Sequence, residues 1–186
     1  MKKTMNFILI LSLISVVNFS QTRIGIKYEP FLMKSRFISN TFLESGTRNQ
    51  IFLSSVYVSY SSVISRDLFF TIRPGILLTW DHSQYNGLEI YIAGEYFFNK
   101  KIYLICGITV HDNWRKISST NVNHPINDTF YLLISGIGFY LSDKIPFEIQ
   151  CLVPTKKKIG HELLIALNPI ELDYLIKISI GFEWEI

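Results

Sequence analysis

The chain has 186 residues, 48% hydrophobic and 15% aromatic, and its 18 basic and 15 acidic residues give a formal charge of +3. That length suits one domain, and the near-balance of charge excludes the basic face that a nucleic-acid partner requires.

Lys2 and Lys3 precede an apolar run over residues 7–17 that only Ser12 and Ser15 interrupt. A basic start followed by a short apolar stretch is the layout of a secretory signal. The run is well short of the roughly 20 residues that a spanning helix needs. We therefore expect residues 1–20 to be a cleavable signal peptide and residues 21–186 to form one exported domain, with two fewer positive charges once Lys2 and Lys3 are gone. No Cys follows the run, so no lipid anchor is expected.

Beyond it, helical periodicity is poor and period-two alternation recurs, which is the mark of strands with two unlike faces. Eight segments qualify. Residues 23–33 set Ile24, Ile26, Tyr28 and Leu32 against Arg23, Gly25, Lys27 and Glu29, and residues 50–62 set Val56, Val58 and Tyr60 against Ser55, Tyr57, Ser59 and Ser61. Residues 68–81 oppose Phe70, Ile72, Ile76 and Leu78 to Thr71, Arg73 and Gly75, and residues 88–98 oppose Leu88, Ile90, Ile92, Tyr96 and Phe98 to Glu89, Tyr91, Ala93 and Glu95. Residues 101–111 separate Leu104, Cys106, Ile108 and Val110 from Tyr103, Gly107, Thr109 and His111. Residues 129–141 are apolar on both faces. Residues 147–154 separate Phe147, Ile149, Cys151 and Val153 from Glu148 and Gln150, and residues 174–186 alternate up to Ile186.

The links alternate as well. Those at 63–67, 99–100 and 142–146 are short, those at 34–49, 112–128 and 155–173 are long, and only the link at 81–87 breaks the trend. Short turns on one rim and long loops on the other characterise membrane-spanning barrels. Tyr60, Phe70, Tyr96, Phe98, Phe147 and Trp184 all lie near the short-turn ends, where an aromatic girdle would meet the membrane boundary. The expected fold class is all-β: an eight-stranded antiparallel up-and-down transmembrane barrel. Gly136 and Gly138 are turned inward, because so narrow a barrel needs small residues there.

The last strand carries Ile180, Phe182, Trp184 and Ile186 at alternate positions. In this and in its architecture the chain resembles, over roughly residues 23–186, the small eight-stranded bacterial outer-membrane barrels, the group that contains OmpA, OmpX, OmpW and the lipid A deacylase PagL. The C-terminal assembly signal of such barrels usually closes with Phe, where this chain has Ile186. The resemblance implies location in the outer membrane among its lipid and lipopolysaccharide, and recognition of the last strand by the barrel-assembly machinery. It implies no single activity.

The candidate functional residues are the inward set: Arg23, Lys27, Glu29, Arg73, Glu89, Glu95, His111, Glu148, Lys177 and Glu183. Eight strands enclose only enough space for side chains to fill, so these charges are expected to pair with one another as a structural plug; a proton or ion path through them is the other reading. One contact is specified: a hairpin centred on Gln84 places residues whose numbers sum to 168 opposite each other, and so brings Arg73 to Glu95. No catalytic, cofactor or metal site is expected. His82, His111, His124 and His161 lack metal-ligand spacing, and the His-x-Ser pair of PagL-type enzymes is absent. The role expected is structural, surface-interacting or membrane-maintaining, the alternatives being a lipid A acyl hydrolase or OmpW-like passage of small apolar molecules. Lys156, Lys157 and Lys158 fall in an outside loop, either as a solvated tip or against lipopolysaccharide phosphates. The long loops hold apolar residues such as Phe42, Trp114 and Leu164, packed over one another or forming a partner surface. Cys106 and Cys151 face the apolar side of non-neighbouring strands and are read as small hydrophobes.

Overall fold

The computed structural model of the chain describes residues 22–37, 46–52, 55–78, 86–113, 123–125, 129–163 and 167–186. The expected signal segment lies outside them, as do Phe42, Trp114 and Leu164. The strands are β1 (Thr22–Tyr28), β2 (Phe31–Phe37), β3 (Gly46–Phe52), β4 (Ser55–Ser65), β5 (Leu68–Leu77), β6 (Gly87–Phe97), β7 (Ile102–Asn113), β8 (Asn123–Pro125), β9 (Thr129–Ser142), β10 (Ile145–Pro154), β11 (Lys158–Leu163) and β12 (Leu167–Glu185).

Eight of these pair antiparallel in the order β1-β4-β5-β6-β7-β9-β10-β12, and β12 returns to β1 to close the sheet. The chain is an all-β, closed, eight-stranded antiparallel up-and-down barrel, as its alternation predicts. The closing seam runs from Arg23↔Glu185 to Tyr28↔Ile180. On one rim the connections are tight: two residues join β4 to β5 and β9 to β10. Between β6 and β7, Asn99 Oδ1 accepts from the backbone N–H of Lys101 at 2.8 Å and of Ile102 at 2.9 Å, an Asx-type turn.

The opposite rim departs from expectation. Much of the segments 34–49 and 155–173, read as loops, is strand. Pro30 lacks an N–H and so divides β1 from β2, yet both keep one register along β12, Tyr28↔Ile180 leading on to Phe31↔Lys177. β3 pairs with β2, while β11 pairs with the upper part of β12 and carries β8 on its other side. Lys34, Arg36, Thr47 and Asn49 share the outer side of β2 and β3 with no apolar stripe, so backbone pairing continues where alternation, the signal used to find strands, has faded. β5 likewise stops at Leu77 rather than 81, and residues 79–85 lie outside those described.

Facing follows alternation along the barrel strands, apart from the shift between Leu172 and Tyr174 in β12. Outside stand Ile26, Val56, Val58, Leu88, Ile90, Leu133, Ile149 and Ile178, each with about half of its surface exposed, and Gly136 and Gly138 lie on the inner side of β9. Near the short-turn rim, Tyr96 meets Phe98 edge-on at 5.6 Å, Phe139 packs on Phe147 at 5.0 Å, and Phe182 lies 5.9 Å from Trp184. Cys106 and Cys151 are free and exposed on this outer face, each opposite Ser135 on the strand between them.

At mid-height Ile72, Ile92, Ile108 and Leu133 form one aliphatic row across four strands. An Arg at a mid-membrane lipid-facing position of such a barrel costs about 2–4 kcal/mol. Ile92→Arg is therefore expected to lower folding stability in lipid vesicles by that amount, read from urea titrations. A titration midpoint equal to wild type would place Ile92 away from hydrocarbon.

Candidate functional site

All ten charged or titratable residues expected in the lumen line its inner surface, and nine are buried; Arg23, at the short-turn mouth, is half-buried. They meet in three tiers.

At the short-turn end the Arg23 guanidinium lies 4.6 Å from the Phe69 ring and 5.6 Å from that of Phe97, a cation–π cradle. It donates to the Tyr140 hydroxyl at 2.9 Å, Tyr140 donates to Glu183 at 2.6 Å, and Arg23 also pairs with the rim carboxylate of Glu185 at 3.4 Å. Phe97 stacks on Tyr103 at 4.7 Å and closes this tier.

The middle tier centres on Glu148. Its carboxylate accepts from Arg73 Nη1 at 2.6 Å and Nη2 at 2.7 Å, from the Tyr103 hydroxyl at 2.7 Å, from Gln150 Nε2 at 2.6 Å, and from Lys27. Lys27 also pairs with Glu183 at 3.1 Å. Arg73 is fully buried, lies 4.3 Å over the Tyr91 ring and, besides Glu148, meets Glu95 at 2.7 Å and Glu29 at 3.5 Å. A bidentate fork on a carboxylate is the strong form of a charge-assisted hydrogen bond. It offsets part of the desolvation cost that a buried ion pair carries.

In the third tier Lys177 donates to the Tyr57 hydroxyl at 2.7 Å and to Glu89, which Tyr57 also contacts, and His111 Nδ1 lies 3.1 Å from Glu89 Oε1. Glu29 joins the two upper tiers, since it also approaches Lys177 at 3.8 Å. Beyond this tier the lumen turns apolar: Phe31, Met33, Leu77, Phe130, Leu132, Leu152, Leu172 and Leu175 are all buried there.

The Arg73–Glu95 contact forms, but not through the hairpin register expected. Arg73 faces Tyr91 and Glu95 faces Phe69, so opposed residues sum to 164 rather than 168. Both side chains nonetheless share the inner face, and Arg73 is long enough to reach along the strand. Alternation indicated that Tyr57, Tyr103 and Gln150 point inward without marking them as partners of the charges. Tyr140 was missed because its strand is apolar on both faces. Its phenol binds Arg23 and Glu183, and with it every barrel strand contributes at least one polar group to the network: Lys27, Tyr57, Arg73, Glu89, His111, Tyr140, Glu148 and Lys177 in order round the sheet.

Two tyrosines owe their positions to glycines opposite them. Tyr57 lies over Gly75 and Tyr103 over Gly138, each so close that a Cβ on the glycine would run into the ring. Gly138→Ala is expected to cost about 1–3 kcal/mol by overpacking, since moving Tyr103 breaks its bond to Glu148. An unchanged urea midpoint would show that the ring can shift freely.

His82 and Ser83 lie outside the described residues, and His161 and Glu162 fall on β11 above the barrel. Among the described residues no three His, Cys, Asp or Glu side chains cluster as a metal site.

No family model matches the chain, and no curated protein sequence does. Solved structures with a similar fold include the N-terminal β-barrel domain of Pseudomonas aeruginosa OprF, 11% identical, with 86% of this chain and 97% of that chain covered and a TM-score of 0.45. The outer-membrane protein OprG from Pseudomonas aeruginosa is 8% identical, with 88% and 96% covered and a TM-score of 0.46. Ail of Yersinia pestis is 11% identical, with 88% and 98% covered and a TM-score of 0.40.

Proposed function

We propose that the protein is an integral barrel of the bacterial outer membrane with a structural, surface-interaction or membrane-maintenance role, exported by its signal segment and inserted by the barrel-assembly machinery through Ile180, Phe182, Trp184 and Ile186. One observation carries this reading. Aliphatic side chains cover the outside of the closed sheet, while the charges are sealed inside it with ionic partners. A soluble barrel of this size has the reverse arrangement, a polar exterior around an apolar ligand-sized interior. In hydrocarbon a closed sheet leaves no backbone group unpaired at an edge.

The lumen serves stability rather than conduction on this reading. Arg73, Tyr57, Tyr91, Tyr103, Lys27 and Lys177 fill the charged tiers, and Phe31, Phe130, Leu77, Leu132 and Leu152 fill the upper end, all of them fully buried. The test has three parts: fractionation of cells, heat-modifiable migration on a gel, and current across a planar bilayer holding the purified protein. Outer-membrane recovery, a heat shift and no steady current are the expected results. Recovery in the periplasm as a species without heat shift would overturn the membrane reading, and a stable ohmic current would overturn the sealed lumen. Lipid A masses that change with expression would replace the structural role by an acyl-hydrolase one.

A further inference from the structure

On the long-loop rim two strand irregularities meet at one height on either side of β12. The β2 pairing shifts between Leu172 and Tyr174, and on the other side residues 155–157 bulge between β10 and β11 while Leu172 N donates to Lys157 O at 2.6 Å. Bulges of this kind twist a strand and re-aim its side chains. Here they gather Lys34 and Arg36 on one flank of β12 and Lys156, Lys157 and Lys158 on the other.

Among the described residues, five cations therefore face two carboxylates, Glu171 and Asp173. Asp173 is engaged with Arg36 at 2.5 Å, Lys158 stands opposite Glu171 in register, and Lys34 lies 5.4 Å over the Tyr174 ring. Lys156, Lys157 and Lys158 are exposed. One step down the same strands the outer face becomes Leu32, Ile51 and Ile176, with Ile51 73% exposed, and stays aliphatic through Ile178 and Ile180. The cations thus sit immediately above the hydrocarbon-facing belt with an aromatic at the boundary, at the depth of lipid headgroups.

We propose that this rim binds the phosphate groups of an outer-leaflet glycolipid, with Lys34, Lys157 and Lys158 as its principal phosphate contacts and Leu32, Ile51 and Ile176 against the acyl chains. The inference rests on the outer-membrane reading and adds to it a ligand class and a location. Arg36 is already neutralised by Asp173, so the lysines supply the net charge. The aliphatic row below selects a phosphate that carries acyl chains over free inorganic phosphate.

The test uses the full chain folded in neutral detergent, with its folded state checked by heat-modifiable migration, titrated with lipid A, with dephosphorylated lipid A and with phosphatidylglycerol, and read by native mass spectrometry. One variant combines Lys34→Ala, Lys157→Ala and Lys158→Ala. A control combines Lys100→Ala, Lys101→Ala and Lys144→Ala, exposed lysines of the other rim. Lipid A affinity should fall about fivefold for each rim lysine removed, stay unchanged in the control, and exceed that for both other lipids. Equal binding of dephosphorylated lipid A or of phosphatidylglycerol, or equal losses in the two variants, would overturn the site. A heat-modifiable protein that binds no lipid A overturns the site alone, whereas a protein with no heat-modifiable form overturns the membrane reading beneath it.

Discussion

A chain shortened by residues 182–186 will not assemble. Those residues supply four of the six pairs that close β12 on β1, Ile26↔Phe182, Gly25↔Glu183, Ile24↔Trp184 and Arg23↔Glu185. They also supply the backbone bonds from Glu183 N to Lys144 O at 2.8 Å and from Ile186 N to Thr22 O at 2.9 Å. Without them the short-turn end opens, and β1 gains an edge with no water to satisfy it in a bilayer. Glu183 leaves with the segment, which strips Lys27 of one of its two carboxylates and Tyr140 of its acceptor. The expected result is no heat-modifiable band in cells and none after refolding into vesicles. The vesicle arm separates two causes: failure in both settings points to barrel closure, and failure in cells alone to recognition by the assembly machinery. A normal folded yield in cells would dispose of both. Replacing Phe182 and Trp184 by Ala keeps the backbone pairing, and should spare vesicle refolding more than the deletion does.

Facing was legible in the sequence because each barrel strand separates two solvents. Leu88, Ile90 and Ile92 interleave with Glu89 and Tyr91 for that reason, and a shift of one residue would send Glu89 to the aliphatic outer face. Register was less legible. Alternation fixes parity, so 164 and 168 serve equally well, and residues 79–85 carry no unambiguous turn pair to choose between them. The strands beyond the aliphatic belt were not legible, since β2 and β3 present polar groups such as Lys34, Arg36 and Asn49 where a barrel strand would present an apolar row. Nor was the partner of Glu148. Strand tilt and stagger decide which inward residues meet across the lumen, and the meeting of Arg73 on β5 with Glu148 on β10, 75 residues apart, is a property of the closed barrel rather than of any one hairpin.

That crossing makes Arg73 the residue whose loss should cost most among single substitutions. Arg73→Ala leaves Glu148, Glu95 and Glu29 facing one another in a volume with little room for water. Breaking a buried ion pair from one side costs about 3–5 kcal/mol, and here three carboxylates lose a shared cation. Glu95→Ala should cost less, because Arg73 keeps its fork on Glu148. The double change of Arg73 and Glu95 should cost less than the sum of the two, since the second removes a charge that the first has stranded. For directly interacting residues the difference is about 0.5–3 kcal/mol. The same cycle with Glu148→Ala should give the larger interaction energy, as two of the Arg73 nitrogens bind Glu148 and one binds Glu95. Arg73→Lys keeps the charge but not the planar fork, and should fall between wild type and Arg73→Ala. Urea titrations in vesicles measure all of these. Strict additivity with Glu148 would mean that the guanidinium and the carboxylate do not meet across the lumen, and the tiered network would then lose its centre.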